Sequence, residues 1–268
     1  MPTNPLHPDV TFVVNRNNLG IFERNFASSP CLEAIGSDRI IVQEGFPSAT
    51  LSYNEALEKA PTDLVVFVHQ DVFLPEGWLT ALGESLKALE QSDPNWGVLG
   101  GWGVTNAGTQ AGFLYSVGLG ILGKPFTSPV AIDTLDEYFL VLRKSSGLRF
   151  DSTLPHFHLY GTDICMAARR QLKMCYAIPA FAVHNTSYTP LPPEFFQGYW
   201  HIRKRWAAFM PIQTPCIRIS RLNQDLIARR LKQAFSWVTG KKFKSTPRID
   251  DPRSVLHFAF SPERESVA

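Results

Sequence analysis

Three short apolar runs near the start of the chain constrain its fold more than any other feature of the sequence. They are VTFVV at 10–14, RIIV at 39–42 and LVVFV at 64–68, and segments of mixed polarity separate them. Nearly continuous, β-branched strands of this kind are typical of a parallel sheet that is covered on both faces. Apolar residues at helical spacing over 75–89 predict one covering helix. The sequence therefore predicts an α/β fold with a mostly parallel central sheet and helices on both sides.

Composition narrows the class of protein. The chain has 268 residues, 44% of them hydrophobic, which is enough for a sizeable core, and its net charge of +2 gives no indication of nucleic-acid binding. The four cysteines show no CxxC spacing, which favours a reducing compartment. The sequence shows neither a signal-peptide pattern nor an apolar run of about 18 residues. We therefore expect a soluble, cytoplasmic protein.

Polar residues follow each of the three apolar runs. Ligands of an open α/β sheet bind beyond the carboxyl ends of its strands, so these clusters predict one shared binding edge rather than three solvated turns. A carboxylate directly after a buried strand, here Asp71, suits a divalent cation that bridges a diphosphate, although Asp is also typical of a helix N-cap. The residues at this edge are Asn15, Arg16 and Asn17, then Gln43 and Glu44, then His69, Gln70 and Asp71.

The middle of the chain contains further candidates. The Gly-rich stretch 98–108, which includes Trp102, is typical of a mobile loop. An apolar strand is predicted at 138–142, directly after Asp136 and Glu137. Acidic side chains before a strand and a Trp in a loop can contact a sugar, and both are also common where no ligand binds.

The motif YGTD at 160–163 predicts a helix that begins at Thr162 or Asp163. Its apolar face would contain Ile164, Ala168, Leu172 and Cys175. The positive end of a helix keeps a carboxylate ionised, so Asp163 is a candidate general base, although Asp also caps helices without any other role. A short strand ending at His184 follows, and imidazole and carboxylate groups together suit Mn²⁺ or a similar ion.

The order of these features resembles the inverting glycosyltransferases of family 2, which have the GT-A fold. The features are a strand-end Asn, a strand-end acid, HQDV in the place of an acidic D-x-D metal motif, a Gly-Trp loop, an acidic pair before a strand, YGTD and a final His. The resemblance covers residues 10–206 and is nearest to the bacterial subgroup related to the streptomycin-biosynthesis glycosyltransferase-like proteins.

The resemblance implies a role for each candidate. Asp71 matches the last acid of D-x-D and would bind the metal with His184, Asp163 matches the catalytic base, and His69 replaces the first acid. The nucleotide would contact Asn15, Arg16, Glu44, Asn54, His69 and Asp71. Contacts with sugar or acceptor would come from Trp102, Asp136 and Glu137. The Q-x-x-R-W motif of processive members appears as IRKRW, with Ile202 in place of Gln, so a processive polymerase is not expected.

The function implied is transfer of a hexose from a nucleotide-diphosphate sugar, with uridine diphosphate as the expected nucleotide, to a glycan or other hydroxyl acceptor. Mn²⁺ or Mg²⁺ would assist a single displacement. Two alternatives remain open, a metal-dependent hydrolase and a non-catalytic module that binds sugar nucleotides. A nucleotidylyltransferase is disfavoured because VVNRNNLG is a poor phosphate-binding loop.

The C-terminal part of the chain is basic, with twelve Lys or Arg and one acidic residue between His201 and Arg248. A helix predicted over 220–240 has basic residues beside its apolar face, so it either packs on the body or lies on an anionic membrane surface. The apolar residues are Leu222, Leu226, Ile227, Leu231, Phe235 and Val238, and the basic ones Arg229, Arg230 and Lys232. We expect a catalytic domain at 1–206 and an extension at 207–268.

Overall fold

A computed structural model describes residues 7–187, 191–238 and 246–260. It confirms the α/β fold. The strands are β1 (Val10–Asn15), β2 (Ile40–Gln43), β3 (Leu64–His69), β4 (Val72–Phe73), β5 (Val98–Gly100), β6 (Trp102–Val104), β7 (Gln110–Ser116), β8 (Gly120–Gly123), β9 (Val130–Ile132), β10 (Thr134–Leu135), β11 (Phe139–Arg143), β12 (Cys175–Ala177), β13 (Ala182–His184), β14 (Ile212–Gln213) and β15 (Arg218–Ile219). The α-helices are α1 (Leu19–Arg24), α2 (Ala49–Lys59), α3 (Trp78–Ser92), α4 (Tyr160–Arg170), α5 (Pro193–Arg205), α6 (Gln224–Val238) and α7 (His257–Phe260).

The central sheet has seven strands in the order β2-β1-β3-β11-β5-β12-β9. Five of them run parallel, and β11 and β9 run antiparallel to their neighbours. The three apolar runs become β2, β1 and β3, so the predicted strands and the mostly parallel sheet are confirmed. All three end at the same edge.

Helices cover both faces of this sheet. Alternate side chains along each strand point to opposite sides, and because the strands are apolar throughout, both faces need covering. Val13, Val65 and Phe67 pack in one core cluster with residues of α2, α4 and α5. Phe12 and Val66 pack in a second cluster with Trp78 and other apolar residues of α3. The helix predicted at 75–89 is therefore confirmed as a covering helix, shifted to Trp78–Ser92.

The expectation of a mobile loop at 98–108 is wrong. Residues 98–100 form β5 of the central sheet, and 102–104 form β6 of a second sheet with the order β10-β6-β7-β13-β4, in which β8 also pairs with β7. The glycines serve close packing, since a Cβ on Gly101 would lie 1.8 Å from the hydroxyl oxygen of Tyr138. A Gly-rich sequence is ambiguous because it fits both a flexible loop and a crowded sheet.

The helix predicted from YGTD exists, but its bounds differ from the prediction. It begins at Tyr160, which places Asp163 in its first turn as expected, and it ends at Arg170. Leu172 has a positive φ of 58° and is exposed, and Cys175 begins β12, so neither lies on the predicted helical face. The chain reverses after the helix through a hydrogen bond from Lys173 N to Ala168 O (3.0 Å).

Several of the described residues after Trp206 pack on the rest of the molecule. Ile212, Ile219 and Leu226 are buried in the first core cluster. The C-terminal segment, defined as residues 246–260, packs on the second sheet through Val255, which contacts the cluster containing Phe73. In the ranges described, none of the helices has both the length and the apolar character that a membrane span requires.

Candidate functional site

The register of the parallel strands brings three predicted residues into one row. Asn15 at the end of β1 is paired with Gln43 on one side and with His69 on the other. A cavity of about 390 Å³, called here the strand-end cavity, opens beyond this row. Its lining residues are Asn15, Arg16, Asn17, Gln43, Glu44, Gly45, Phe46, Tyr53, His69, Gln70, Asp71, Phe157 and Tyr160. All eight strand-end residues named from the sequence therefore lie on its wall.

Two side-chain contacts fix the loop that follows β1. The guanidinium Nε of Arg16 lies 2.7 Å from Glu44 Oε1, and this pairing lowers the pKa of the Glu44 carboxyl. Gln70 Oε1 accepts hydrogen bonds from the backbone N–H groups of Asn17 (3.0 Å) and Asn18 (3.1 Å). The ends of β1, β2 and β3 are thus tied together at the mouth of the cavity.

Two amide groups on the cavity wall have no hydrogen-bond partner within the part of the chain that the structure describes. Asn15 Nδ2 and Gln43 Nε2 are both buried and unpaired. Asn15 is oriented by Ser52, whose hydroxyl donates to Asn15 Oδ1. Buried polar groups are normally hydrogen-bonded, so two unpaired N–H donors on residues of a cavity wall are typical of a site that receives acceptor atoms from a ligand.

Three potential metal ligands meet beside the cavity; His69 and Asp71 lie on its wall, and His184 is not one of its lining residues. His69 ends β3, Asp71 lies between β3 and β4, and His184 ends β13. Strand β13 pairs with β4 so that His184 lies opposite Val72, and Asn185 N donates to the carbonyl oxygen of Asp71 (2.8 Å). One ligand atom from each of the three side chains lies within 4.8 Å of the others. We call this group the metal corner.

The charges at the metal corner are strongly coupled. Burial and the nearby His184 lower the pKa of His69 to about 4, so its imidazole is neutral near pH 7. Burial also opposes protonation of His184, but the carboxylate of Asp71 outweighs it and raises the pKa of His184. Burial alone would raise the pKa of Asp71, but His184 and Arg248 hold it well below its usual range. Asp71 is therefore ionised.

These side chains fit a divalent transition-metal ion. Two imidazoles and one carboxylate form a mixed nitrogen and oxygen set that suits Mn²⁺ and similar ions, and an ionised Asp71 and neutral His69 need no deprotonation to act as ligands. Two tyrosines hold the imidazole rings in place. Tyr160 OH lies 2.6 Å from His69 Nε2, and the Tyr138 ring stacks on the His184 ring with 5.7 Å between the ring centroids.

Arg248 also reaches the metal corner, from the C-terminal segment. Its Nη2 atom lies 3.3 Å from Asp71 Oδ2, while Asp71 Oδ1 lies 3.5 Å from His184 Nε2. Asp71 thus carries an arginine on one oxygen and a histidine on the other. This places the basic C-terminal part of the chain at the candidate site itself.

Asp163, one turn after the cavity-lining Tyr160 in α4, lies at the centre of a largely buried polar network. Trp206 Nε1 donates to Asp163 Oδ1 (2.6 Å), and Arg205 Nε lies 3.2 Å from the same oxygen. Arg205 also contacts Asp151 Oδ2 (2.8 Å), which receives His201 Nε2 at 2.8 Å. Burial raises the pKa of Asp163 although Trp206 and Arg205 oppose it. The Arg-Trp pair of IRKRW thus meets the Asp of YGTD.

Asp163 does not line the strand-end cavity. It is 1% exposed, and its Oδ2 atom has no hydrogen-bond partner among the described residues. Tyr160, one turn earlier in α4, does line the cavity. An acceptor can reach Asp163 only if side chains that cover it move.

Four other predicted residues lie outside the cavity wall. Asn54 is in the middle of α2, and its amide bonds the backbone N and O of Phe150 (3.0 and 2.9 Å). Trp102 lies on β6 in the core and is 8% exposed. Asp136 N donates to Trp102 O (2.8 Å). Glu137 Oε1 accepts from Gly161 N (3.3 Å), and burial and Asp136 raise the pKa of Glu137 well above its usual range.

Sequence reasoning missed Tyr53, Tyr160 and Arg248. Tyr53 lies on α2 and lines the cavity, and burial raises its pKa to about 12. Its spacing in α2 is that of a core residue, and nothing in the sequence separates a core Tyr from one on a cavity wall. Tyr160 belongs to the YGTD motif, where attention falls on the acid. Arg248 could not be found because its partner Asp71 is 177 residues away in the chain.

The chain was compared with family models, curated proteins and solved structures. No family model matches it. A curated protein from Fuscovulum blasticum, named ATP synthase subunits region ORF 6, is 30% identical over 165 residues, which cover 58% of this chain and 65% of that protein. The chain thus spans just under two thirds of that relative's length.

Among solved structures, the crystal structure of GalNAc-T7 with UDP, GalNAc and Mn²⁺ is similar with a TM-score of 0.51 and 9% identity, over 74% of this chain and 48% of that one. The mannosyltransferase PcManGT from Pyrobaculum calidifontis, in complex with GDP-Man and Mn²⁺, has a TM-score of 0.45 and 13% identity, over 96% and 76% of the two chains. The likeness to GalNAc-T7 shows that this chain has a GT-A-like fold.

Proposed function

We propose that this protein is a metal-dependent glycosyltransferase that uses a nucleotide-diphosphate sugar as its donor. The observation that carries the proposal is the metal corner of His69, Asp71 and His184, two of whose residues, His69 and Asp71, line the strand-end cavity. Support comes from the position of that cavity at the carboxyl ends of β1, β2 and β3, where open α/β sheets bind ligands. Further support comes from the GT-A-like fold and from a GalNAc-T7 structure that contains UDP and Mn²⁺.

In this proposal the nucleotide occupies the strand-end cavity. Asn15, Arg16 and Glu44 contact the base and ribose, with the free amide of Asn15 available to an acceptor oxygen. The proposed role of Asn54 is structural and involves no contact with the nucleotide: its amide holds Phe150, whose ring centroid lies 5.5 Å from that of Tyr53 on the cavity wall. Uridine diphosphate is the proposed nucleotide, on the basis of the family resemblance.

The diphosphate lies at the metal corner. Mn²⁺ or Mg²⁺, when bound, offsets the negative charge that develops on the departing diphosphate. The protein's part is to present Asp71 ionised and His69 neutral, as the lowered pKa values of both groups favour. We propose that Asp136 and Glu137 bind hydroxyl groups of the sugar or of the acceptor. Trp102, in the core, positions Asp136 through the hydrogen bond from Asp136 N to Trp102 O.

Asp163 is the proposed general base of an inverting displacement. A pKa raised by burial brings a carboxylate closer to the basicity that proton abstraction near pH 7 requires. One of its oxygens is held by Arg205 and Trp206, and the other has no partner in the described structure. The proposed step transfers the acceptor's hydroxyl proton to Asp163 as the oxygen attacks the anomeric carbon, and the nucleoside diphosphate leaves.

The proposed subgroup, acceptor and compartment rest on the resemblance to the family 2 glycosyltransferases. We propose a hexosyltransferase of the bacterial subgroup related to streptomycin-biosynthesis glycosyltransferase-like proteins, acting in the cytoplasm on a glycan or other hydroxyl acceptor. Residues 1–206 form the proposed catalytic domain and 207–268 its extension.

Product analysis separates transfer from the hydrolase alternative. The protein is incubated with Mn²⁺ and UDP-hexoses, with and without a set of saccharide acceptors, and the products and their anomeric configuration are determined by NMR. We expect acceptor-dependent products of inverted configuration, and we expect Asp163→Asn to lose this activity while it still binds UDP. The control is Asp133→Asn, whose side chain pairs with Arg169 at the surface, 3.1 Å away. Free hexose formed equally without acceptor and by Asp163→Asn would instead indicate a hydrolase.

We also propose that α6 attaches the enzyme to an anionic membrane surface. Ile227 and Leu231 are 53% and 66% exposed on one face of α6, and Arg230 and Lys232 are exposed beside them. Apolar residues flanked by cations are typical of helices that lie in a lipid interface.

Vesicle sedimentation tests this attachment. We expect binding to vesicles that contain phosphatidylglycerol, weaker binding to pure phosphatidylcholine, and loss of binding in Ile227→Glu/Leu231→Glu. Leu172→Glu, a change at another exposed apolar residue, should have no effect. A dimer that the double variant disrupts, without vesicle binding, would show that a second copy covers this face instead.

A further inference from the structure

The salt bridge between Arg248 and Asp71 occupies a carboxylate that the proposed metal site also uses. Asp71 is a proposed ligand of a divalent cation, yet its Oδ2 atom lies 3.3 Å from the guanidinium Nη2 of Arg248. A cation bound to Asp71 would be a neighbour of this guanidinium, and neighbouring positive charges repel one another strongly when they are shielded from water. A cation bound at the metal corner and Arg248 therefore compete for the same carboxylate.

Arg248 is not placed there by a loose surface contact. Asn185, which directly follows His184 and is fully buried, accepts from Ile249 N (2.9 Å) and donates to Ile249 O (2.9 Å). The backbone N–H of Asn185 donates to the carbonyl oxygen of Asp71 (2.8 Å). One buried amide residue thus links the backbone of Asp71 to the residue next to Arg248.

Arg248 also carries an unused hydrogen-bond donor. Its Nε atom is buried, and none of the described residues supplies an acceptor for it. Guanidinium groups bind phosphate oxygens well because several N–H donors lie in one plane. An anion next to a cation at this corner would satisfy the Nε–H donor and reduce the repulsion between the cation and Arg248.

Building on the proposed function, we propose that Arg248 is a binding residue for the donor diphosphate and a competitor of the bare metal ion. Without an anion, its guanidinium pairs with Asp71 and weakens metal binding. With a diphosphate present, the guanidinium and the metal ion bind the same anion. Arg248 therefore makes metal binding and nucleotide binding depend on each other.

Opposite changes in two affinities test this inference. The first is the affinity for Mn²⁺ alone, measured from the EPR signal of free Mn²⁺, and the second is the affinity for UDP at saturating Mn²⁺, measured by calorimetry. Arg248→Met should bind Mn²⁺ alone roughly three- to tenfold more tightly than the wild type and UDP roughly tenfold more weakly. Arg248→Lys, which keeps the charge, should fall between the two proteins in both measurements.

Arg24→Met is the matched control, because Arg24 Nη1 lies 3.5 Å from Asp250 Oδ1 on the same segment and does not contact Asp71. It should leave both affinities unchanged. Unchanged or weaker Mn²⁺ binding in Arg248→Met overturns the inference, since a merely structural arginine would weaken both ligands or neither. In that case UDP binding by the wild type would leave the proposed function standing. A wild type that binds no Mn²⁺, either alone or in the presence of UDP, overturns both.

Discussion

Two amide side chains, those of Gln43 and Asn54, differ in whether the protein satisfies their hydrogen bonds. Gln43 Nε2 is buried without a hydrogen bond among the described residues, whereas the Asn54 amide bonds the backbone of Phe150 twice. Gln43 ends β2, and Asn54 lies on α2, the helix that follows. Their different surroundings predict different consequences when the amide is removed.

Gln43→Met should leave the free energy of unfolding unchanged or raise it by up to about 1 kcal/mol, because an unsatisfied buried amide is replaced by an apolar group of similar size. Its affinity for UDP should fall roughly fivefold, which corresponds to one lost hydrogen bond. Asn54→Leu should lose about 1–3 kcal/mol of stability and bind UDP normally. Denaturant unfolding and calorimetry check both variants. Weaker UDP binding in Asn54→Leu alone would place the nucleotide contact at Asn54.

Asp151 determines a part of the stability that depends on pH. Burial would raise its pKa, but Thr153, His201 and Arg205 lower it below the ordinary value of 3.8. The ionised carboxylate therefore stabilises the fold above pH 3.8, and this contribution is lost as the pH falls through the lower folded-state pKa. Urea unfolding between pH 6 and about pH 2 should show a smaller acid-induced loss of stability in Asp151→Asn than in the wild type. Parallel curves would contradict this assignment.

At the scale of elements, close packing rather than propensity positions α4. A Cβ on Gly161 would lie 2.8 Å from the carbonyl oxygen of Leu135 and 3.0 Å from Cγ of Glu137. The first turn of α4, with Tyr160 on the cavity wall and Asp163 behind it, depends on this close approach. The glycine of YGTD is thus needed for backbone contact and not for flexibility.

Gly161→Ala should destabilise the protein by about 1–3 kcal/mol, because backbone atoms cannot move aside as a flexible side chain would. It should also weaken UDP binding, because Tyr160 shifts with the helix. Gly20→Ala is the control: its added Cβ meets nothing closer than Asn18 Oδ1 at 3.7 Å, so stability should be unchanged or slightly higher. Thermal and urea unfolding measure both. Equal stability of the two variants would show that α4 tolerates a shift.

The same elements show what the sequence can and cannot predict. The apolar runs at 10–14, 39–42 and 64–68 predict both the strands and the edge where their polar ends meet, since parallel strands in register end together. Strand β11 was predicted as a strand, but its antiparallel position between β3 and β5 depends on long-range pairing that no local pattern encodes. The strands β5 and β6 were missed because glycine favours loops wherever tertiary packing does not decide.

The candidate site combines distant parts of the chain. Residues 15–71 supply most of the wall of the strand-end cavity, and Phe157 and Tyr160 supply the rest. Strand β13 supplies His184, and the C-terminal segment supplies Arg248. The sequence predicts that the basic extension either packs on the body or lies on a membrane. In the structure, residues 246–260 pack on the body at the site, whereas α6 leaves Ile227 and Leu231 exposed.

In the proposed function, the metal corner and the strand-end cavity together bind a nucleoside diphosphate with a metal ion. Calorimetric titration of UDP into the protein, with and without Mn²⁺ and repeated on Asp71→Asn, tests this binding. We expect binding that requires Mn²⁺ in the wild type and is lost in the variant, whose carboxamide no longer supplies a charged ligand. UDP binding of equal strength in the variant, or no binding of uridine, guanosine or thymidine diphosphate by the wild type, would contradict it.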